Sequence, residues 1–209
     1  MCMEADWEVE IGGGAPVIEA GWPGSSLSTG YVDLRSDPER ICEIAEAAAF
    51  PPLAGLLLAL NGAGSPLWTS KCDLWAPEPE ATPGSGGIAG HPCAALASYI
   101  DLLPREGTVF AQWQHAEAFC REYTARLAAI ALPECSPEAS SKWSEECSIV
   151  LVVRQAIAGE ADGFGITAYL SARAASQSAA AAALASTMAA FAGALPAAAS
   201  PGTAASKLQ

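Results

Sequence analysis

Three stretches of the chain carry one alternation: Tyr31-Val32-Asp33-Leu34-Arg35, Tyr99-Ile100-Asp101-Leu102-Leu103 and Tyr169-Leu170-Ser171-Ala172-Arg173. Side chains on a strand alternate faces, so a two-residue period marks strands. Each stretch follows another strand candidate and precedes a helix candidate, which predicts three strand–strand–helix units. A weak internal repeat would produce this pattern. Ordinary strand composition, in which tyrosine beside an aliphatic is common, would produce it too.

The strand candidates that come first in the units are Trp7–Ile11 with Pro16–Trp22, Leu67–Trp75, and Ile149–Ile157. The break at Gly12-Gly13-Gly14 permits a hairpin or a bulge, and Gly159–Gly163 reads as a hairpin turn before Phe164–Ser171. Helices follow from their start and stop signals. Ser36, Pro38 and Glu39 combine capping-box spacing with an early proline, and Ile41, Ile44 and Ala48 continue at helical spacing until Pro51-Pro52. Leu53–Leu60 forms a short apolar helix ending at Asn61-Gly62. Trp113, Ala116, Cys120, Tyr123, Leu127 and Ile130 make an amphipathic stripe, and Leu184, Met188, Phe191 and Leu195 make another on Ser176–Leu195.

The expected fold is therefore α+β, an antiparallel or mixed sheet of about six strands with helices mainly on one face. Residues 1–195 form one domain, the Pro/Gly/Ser-rich segment 77–92 and the polar segment 133–146 are loops, and 196–209 is a flexible tail. At 209 residues and 51% hydrophobic, the chain is long and apolar enough to bury a core.

The formal net charge of -13 would repel a phosphate backbone or an acidic membrane surface, and no basic cluster offsets it. Nucleic-acid and membrane partners are not expected. The alanine run from Ala179 contains Ser186, Thr187 and Pro196 and reads as a soluble helix rather than a span. Seven cysteines form an odd set without CxxC pairs, and the N-terminal segment has no signal-peptide pattern. Reduced thiols in the cytoplasm are the expectation.

If the strands share one sheet, Val32, Leu34, Ile100, Leu102 and Leu170 point into the helix layer. The other face then inherits Tyr31, Asp33, Arg35, Tyr99, Asp101, Tyr169, Ser171 and Arg173, with Lys71 and Asp73 from Leu67–Trp75 and Arg154 from the third unit. That face is open to three readings. It is a solvated surface with weak cross-strand ion pairs. It is a binding face for a small molecule or for a second copy of the chain, with tyrosines as rigid amphipathic area. Or it is a metal-independent active site in which an aspartate performs acid–base chemistry beside Lys71, Arg35 or Arg154. The leading expectation is a binding or accessory protein, and the enzyme is its rival. Convergence of Asp33, Lys71, Asp73, Asp101 and Arg154 into a concave pocket would favour the enzyme; a flat face covered by a second copy would favour binding.

Other motifs carry less. Lys71-Cys72-Asp73 sets a thiol beside a cation, but alternation places Cys72 with Trp68, Ser70 and Leu74, away from Lys71, as a core thiol. His91-Pro92-Cys93 has no second metal-ligand pair, and His115 sits off the apolar stripe of its helix as a surface histidine. No GxxxxGK[ST], GxGxxG or GxSxG pattern occurs. Neither a metal nor a cofactor is expected.

Overall fold

The computed structural model describes residues 2–20, 32–77, 94–130 and 145–196. Tyr31, His91, Cys93, most of both expected loops and nearly all of the expected tail lie outside them. The strands are β1 (Cys2–Val9), β2 (Ile18–Ala20), β3 (Leu67–Trp75), β4 (Ala94–Pro104), β5 (Glu146–Ala158) and β6 (Ala161–Ala174). A 3-10 helix (Pro38–Glu43), α1 (Ala45–Ala49) and α2 (Pro51–Asn61) follow β2; α3 (Trp113–Ile130) follows β4; α4 (Gln177–Gly193) follows β6. The element order is thus three strand–strand–helix units in an α+β fold.

All six strands form one mixed sheet in the order β1-β5-β6-β4-β3, with β2 also beside β5. Both β1 and β2 run parallel to β5; the other pairs are antiparallel. The β5–β6 hairpin closes through Gly159 and Glu160, and Gly159 at φ 68 supplies the positive dihedral that so short a turn needs. β1 and β2 do not pair with each other, so the Gly12–Gly14 break is neither hairpin nor bulge. It lies in a segment leaving the sheet after Glu10 and returning at Ile18.

One expected strand is corrected. Residues 34–36 form a turn rather than continuing a strand from Tyr31 to Arg35. The Asp33 carboxylate accepts from the backbone N–H of Arg35 at 3.0 Å and from Ser36 Oγ at 3.1 Å, and the Asp33 carbonyl accepts from Asp37 N at 3.0 Å. A short acidic side chain that captures the next backbone donors competes with a ladder, and among the described residues no ladder partner opposes it.

Alternate strand residues build the main core. Ile100 and Leu102 of β4, Ile149, Leu151 and Val153 of β5, and Ile166 and Leu170 of β6 share one apolar cluster with Ala47, Leu57, Tyr123 and Phe191 of the helices. Tyr123 meets Phe191 edge-on at 4.9 Å and donates its hydroxyl to the Phe191 carbonyl. At the end of α2, Arg105 donates to the carbonyls of Asn61, Gly62 and Ser65, satisfying acceptors that a helix terminus leaves open. On α4, Ser176 Oγ caps Ala179 N at 3.2 Å.

The opposite set of strand residues is not uniformly polar. Ile18, Trp68, Leu103 and Ala156 form a second, smaller apolar cluster at one end. Gly165 lies beneath it: a Cβ there would come within 2.9 Å of Ile18 Cδ1 and Leu103 Cδ2. The missing side chain lets β2 lay Ile18 across the sheet, and that places a wall beside the polar residues that follow.

Candidate functional site

Ladder register assembles the polar residues. Lys71 on β3 lies directly opposite Asp101 on β4, and Asp101 lies opposite Thr167 on β6. One step along, Tyr99 stands between Asp73 and Tyr169. From β5, Arg154 lies opposite Gly165, two residues from Thr167. Direct partners in an antiparallel ladder show their side chains on the same face.

Lys71 occupies this face because of a β-bulge between Thr69 and Lys71. Counting alternately from Trp68 puts Lys71 on the opposite face from Trp68; the extra residue restores both to one face. Cys72 consequently packs toward the main core with Leu74, as expected, but not with Trp68, which lies on the Lys71 side. Burial pushes the Cys72 thiol up to about 12, with Glu46, Asp73 and Asp101 adding to the rise. A thiol held protonated is a poor nucleophile.

The residues enclose a cleft of about 160 Å³. Lys71, Asp101, Arg154 and Thr167 supply its polar lining, Tyr99 and Tyr169 its aromatic surface, and Pro16, Val17 and Ile18 its apolar wall. Thr167 Oγ1 donates to Asp101 Oδ1 at 2.6 Å. Burial raises the Asp101 pKa above the ordinary carboxylate value, against the lowering influences of that hydrogen bond, Lys71 and Arg154. Beside Lys71 the Tyr99 hydroxyl is the main influence raising the ammonium pKa, aided by Asp101 and Asp73. The Lys71 Nζ stands 5.9 Å from the Tyr99 ring centre.

Arg154 is the unusual member. Only 6% exposed, it uses Nη2 to reach Glu10 Oε2 at 2.8 Å and to donate to the Tyr169 hydroxyl at 3.2 Å. Its Nε and Nη1 are buried and meet no acceptor among the described residues. Buried guanidinium donors left unfilled are costly, because each has lost water without a replacement.

Of the ten candidate residues, five converge here: Lys71, Tyr99, Asp101, Arg154 and Tyr169. Asp33 and Arg35 pair with each other at 2.9 Å, and Arg35 lies 4.0 Å over the Trp68 ring. The Arg35 hydrogen bond holds the Asp33 pKa below its ordinary value despite partial burial. Asp73 is exposed beyond the cleft, and Arg173 is an exposed residue opposite Glu146. Tyr31 lies outside the described residues. Alternation could have added Thr167, which shares parity with Tyr169. Glu10 and the Pro16–Ile18 wall depend on the parallel pairing of β1 and β2 with β5, which no local pattern announces.

A second cavity of about 260 Å³ lies beside β3, between Leu34, Glu46, Leu57 and Cys72. Its one unfilled buried polar atom among the described residues is the Ser70 hydroxyl of the bulge. Glu43 at its rim is engaged by Arg40. Among the described residues no three-residue set of His, Cys, Asp and Glu could hold a metal ion, and no helix is long and apolar enough to cross a membrane. No family model, curated protein or solved structure matches the chain.

Proposed function

We propose that the chain is a cytoplasmic binding or accessory protein whose cleft between β2, β3 and β6 holds a small ligand. The observation that carries this reading is Arg154: a buried guanidinium with two nitrogens unfilled, lining a concave space, is arranged for an acceptor that the described chain does not provide. Tyrosine faces and an apolar wall give such a ligand somewhere to place a non-polar part. The cleft is smaller than the hundreds of Å³ usual for drug-sized ligands, so the reading is of a small metabolite. Its concavity favours a ligand over a second copy of the chain. The net charge of -13 speaks against a nucleic-acid partner.

Native mass spectrometry of freshly purified protein tests the reading. A retained small molecule, lost in the Arg154→Met variant, is the expected result. A ligand-free protein whose backbone NMR spectrum is unmoved by a library of small metabolites would overturn it.

A second reading, acid–base catalysis, draws on Asp101. A buried carboxyl with a raised pKa, oriented by Thr167 and facing Lys71, has the surroundings of a general acid or base. Turnover of a retained ligand that disappears in Asp101→Asn would favour the enzyme over the binding protein.

A further inference from the structure

We propose, resting on the reading of the cleft as a ligand site, that its ligand is a small organic monocarboxylate, taken up together with one proton that settles on Asp101. The carboxylate meets Arg154 and Lys71, and its organic body lies between the tyrosine rings and the Val17–Ile18 wall.

Three observations select this chemistry. The unfilled nitrogens of Arg154 are donors only, so their partner is an acceptor, and a charged acceptor compensates a buried guanidinium best. The space is several times the roughly 30 Å³ share of one water molecule, and much of its wall is ring or aliphatic carbon, which suits an organic anion better than a bare inorganic ion. Charge decides the rest. The groups around Asp101 are Lys71 on β3, Tyr99 on its own strand, Arg154 on β5, and Thr167 and Tyr169 on β6; Glu10 beyond β1 reaches Arg154, and Asp73 on β3, exposed like Lys71 and acting on it, lies outside the cleft lining. Lys71 and Arg154 balance Asp101 and Glu10. An entering monoanion leaves one negative charge in excess, and Asp101, 9% exposed, is the carboxylate least able to retain its charge. A proton on Asp101 restores neutrality, whereas a dianion would leave one charge uncompensated. Most other carboxylates of the described residues reach solvent, and their charge is screened over about 8 Å at physiological salt.

Isothermal titration calorimetry of the full chain with isobutyrate and benzoate tests this, against isobutyramide, benzamide and inorganic phosphate. Runs from pH 5.5 to 8.5, in two buffers of different ionisation enthalpy, count protons taken up. The carboxylates are expected to bind at least about tenfold tighter than their amides, because the amides leave the charged guanidinium without a charged partner. One proton is expected to be taken up per ligand, and affinity is expected to fall about tenfold per pH unit above the Asp101 pKa of the free protein. In Asp101→Asn the proton uptake and this pH dependence vanish. Equal binding of amide and carboxylate, or a preference for phosphate, would overturn the inference while leaving the ligand site standing. Carboxylate binding without proton uptake would overturn the Asp101 coupling. Binding by none of the probes at millimolar concentration would overturn both the inference and the ligand-site reading.

Discussion

Arg154 concentrates the tension between stability and function in one side chain. Its partner Glu10 is about half exposed, but the buried Asp101 carboxylate also loses one of its two neighbouring cations when the guanidinium is removed, while the unfilled Nε and Nη1 cease to be buried. Replacing a whole buried ion pair by apolar side chains is often neutral or stabilising, whereas removing one partner alone leaves an uncompensated charge and destabilises. Arg154→Met is therefore expected to lose about 1–3 kcal/mol in urea unfolding along with any ligand, and to lose less in an Asp101→Asn background; a gain in stability would mean that the burial cost of Nε and Nη1 outweighs the Asp101, Glu10 and Tyr169 interactions. Asp101 carries its own signature. With its folded pKa raised above the unfolded value, its contribution is fully present below the unfolded value and is lost as pH rises through the folded one. The melting temperature of Asp101→Asn minus that of the parent should grow with rising pH, and a flat difference would contradict the burial argument. Among thiols, Cys42 is exposed, whereas Cys72 and Cys120 are pushed up to about 12 by burial. Iodoacetamide followed by peptide mapping should label Cys42 in the native protein and reach Cys72 and Cys120 only on unfolding.

Among the elements, β3 and β6 show how single residues steer whole strands. Alternation alone put Tyr99, Asp101 and Tyr169 on one face, and β4 and β6 keep them there because their ladder is unbroken from Ala94 to Leu102. The same counting failed across β3, since nothing in Trp68-Thr69-Ser70-Lys71 advertises an extra residue. It also read a strand at Asp33, where side-chain hydrogen bonds close a turn instead. The α3 stripe was legible because its period is long and regular: Ala116, Cys120, Tyr123 and Leu127 are all buried, and Ile130 escapes only at the end of the helix. Two glycines of β6 yield a graded prediction. At Gly163 a Cβ would sit 2.5 Å from the Phe110 carbonyl oxygen and 2.7 Å from Val109 Cγ2; at Gly165 it would meet the ends of two aliphatic chains at 2.9 Å and the Leu102 carbonyl oxygen at 3.0 Å. Gly163→Ala should cost about 1–3 kcal/mol or more and disturb the Phe110–Phe164 bridge, with Gly165→Ala at the lower end of that range. Denaturant midpoints would measure both, and the reverse order would show that the Ile18 wall is the less yielding contact.

For the molecule as a whole, the sequence conveyed the inventory of elements better than their arrangement. Strand–strand–helix order, the β5–β6 hairpin and the acidic balance are local or compositional properties. The partners of β1 and β2 are not, because parallel pairing places no turn between the strands that meet. The cleft was therefore half legible: its floor follows from alternation on β4 and β6, whereas Glu10 and the Pro16–Ile18 wall arrive from a distant segment. That distance has a consequence in time. Cys2–Val9 and Ile18–Ala20 find their places only against Glu146–Ala158, about 140 residues further along. At translation speeds of about 5–20 residues per second, these two strands wait roughly seven to thirty seconds for their neighbour. Throughout that interval Met3, Ala5, Trp7 and Val9, which end up packed against the main core, have no sheet to cover them. Their alternation with Glu4, Asp6, Glu8 and Glu10 puts a like charge beside every apolar side chain. Such spacing discourages two nascent chains from pairing through this segment before its own β5 has been made.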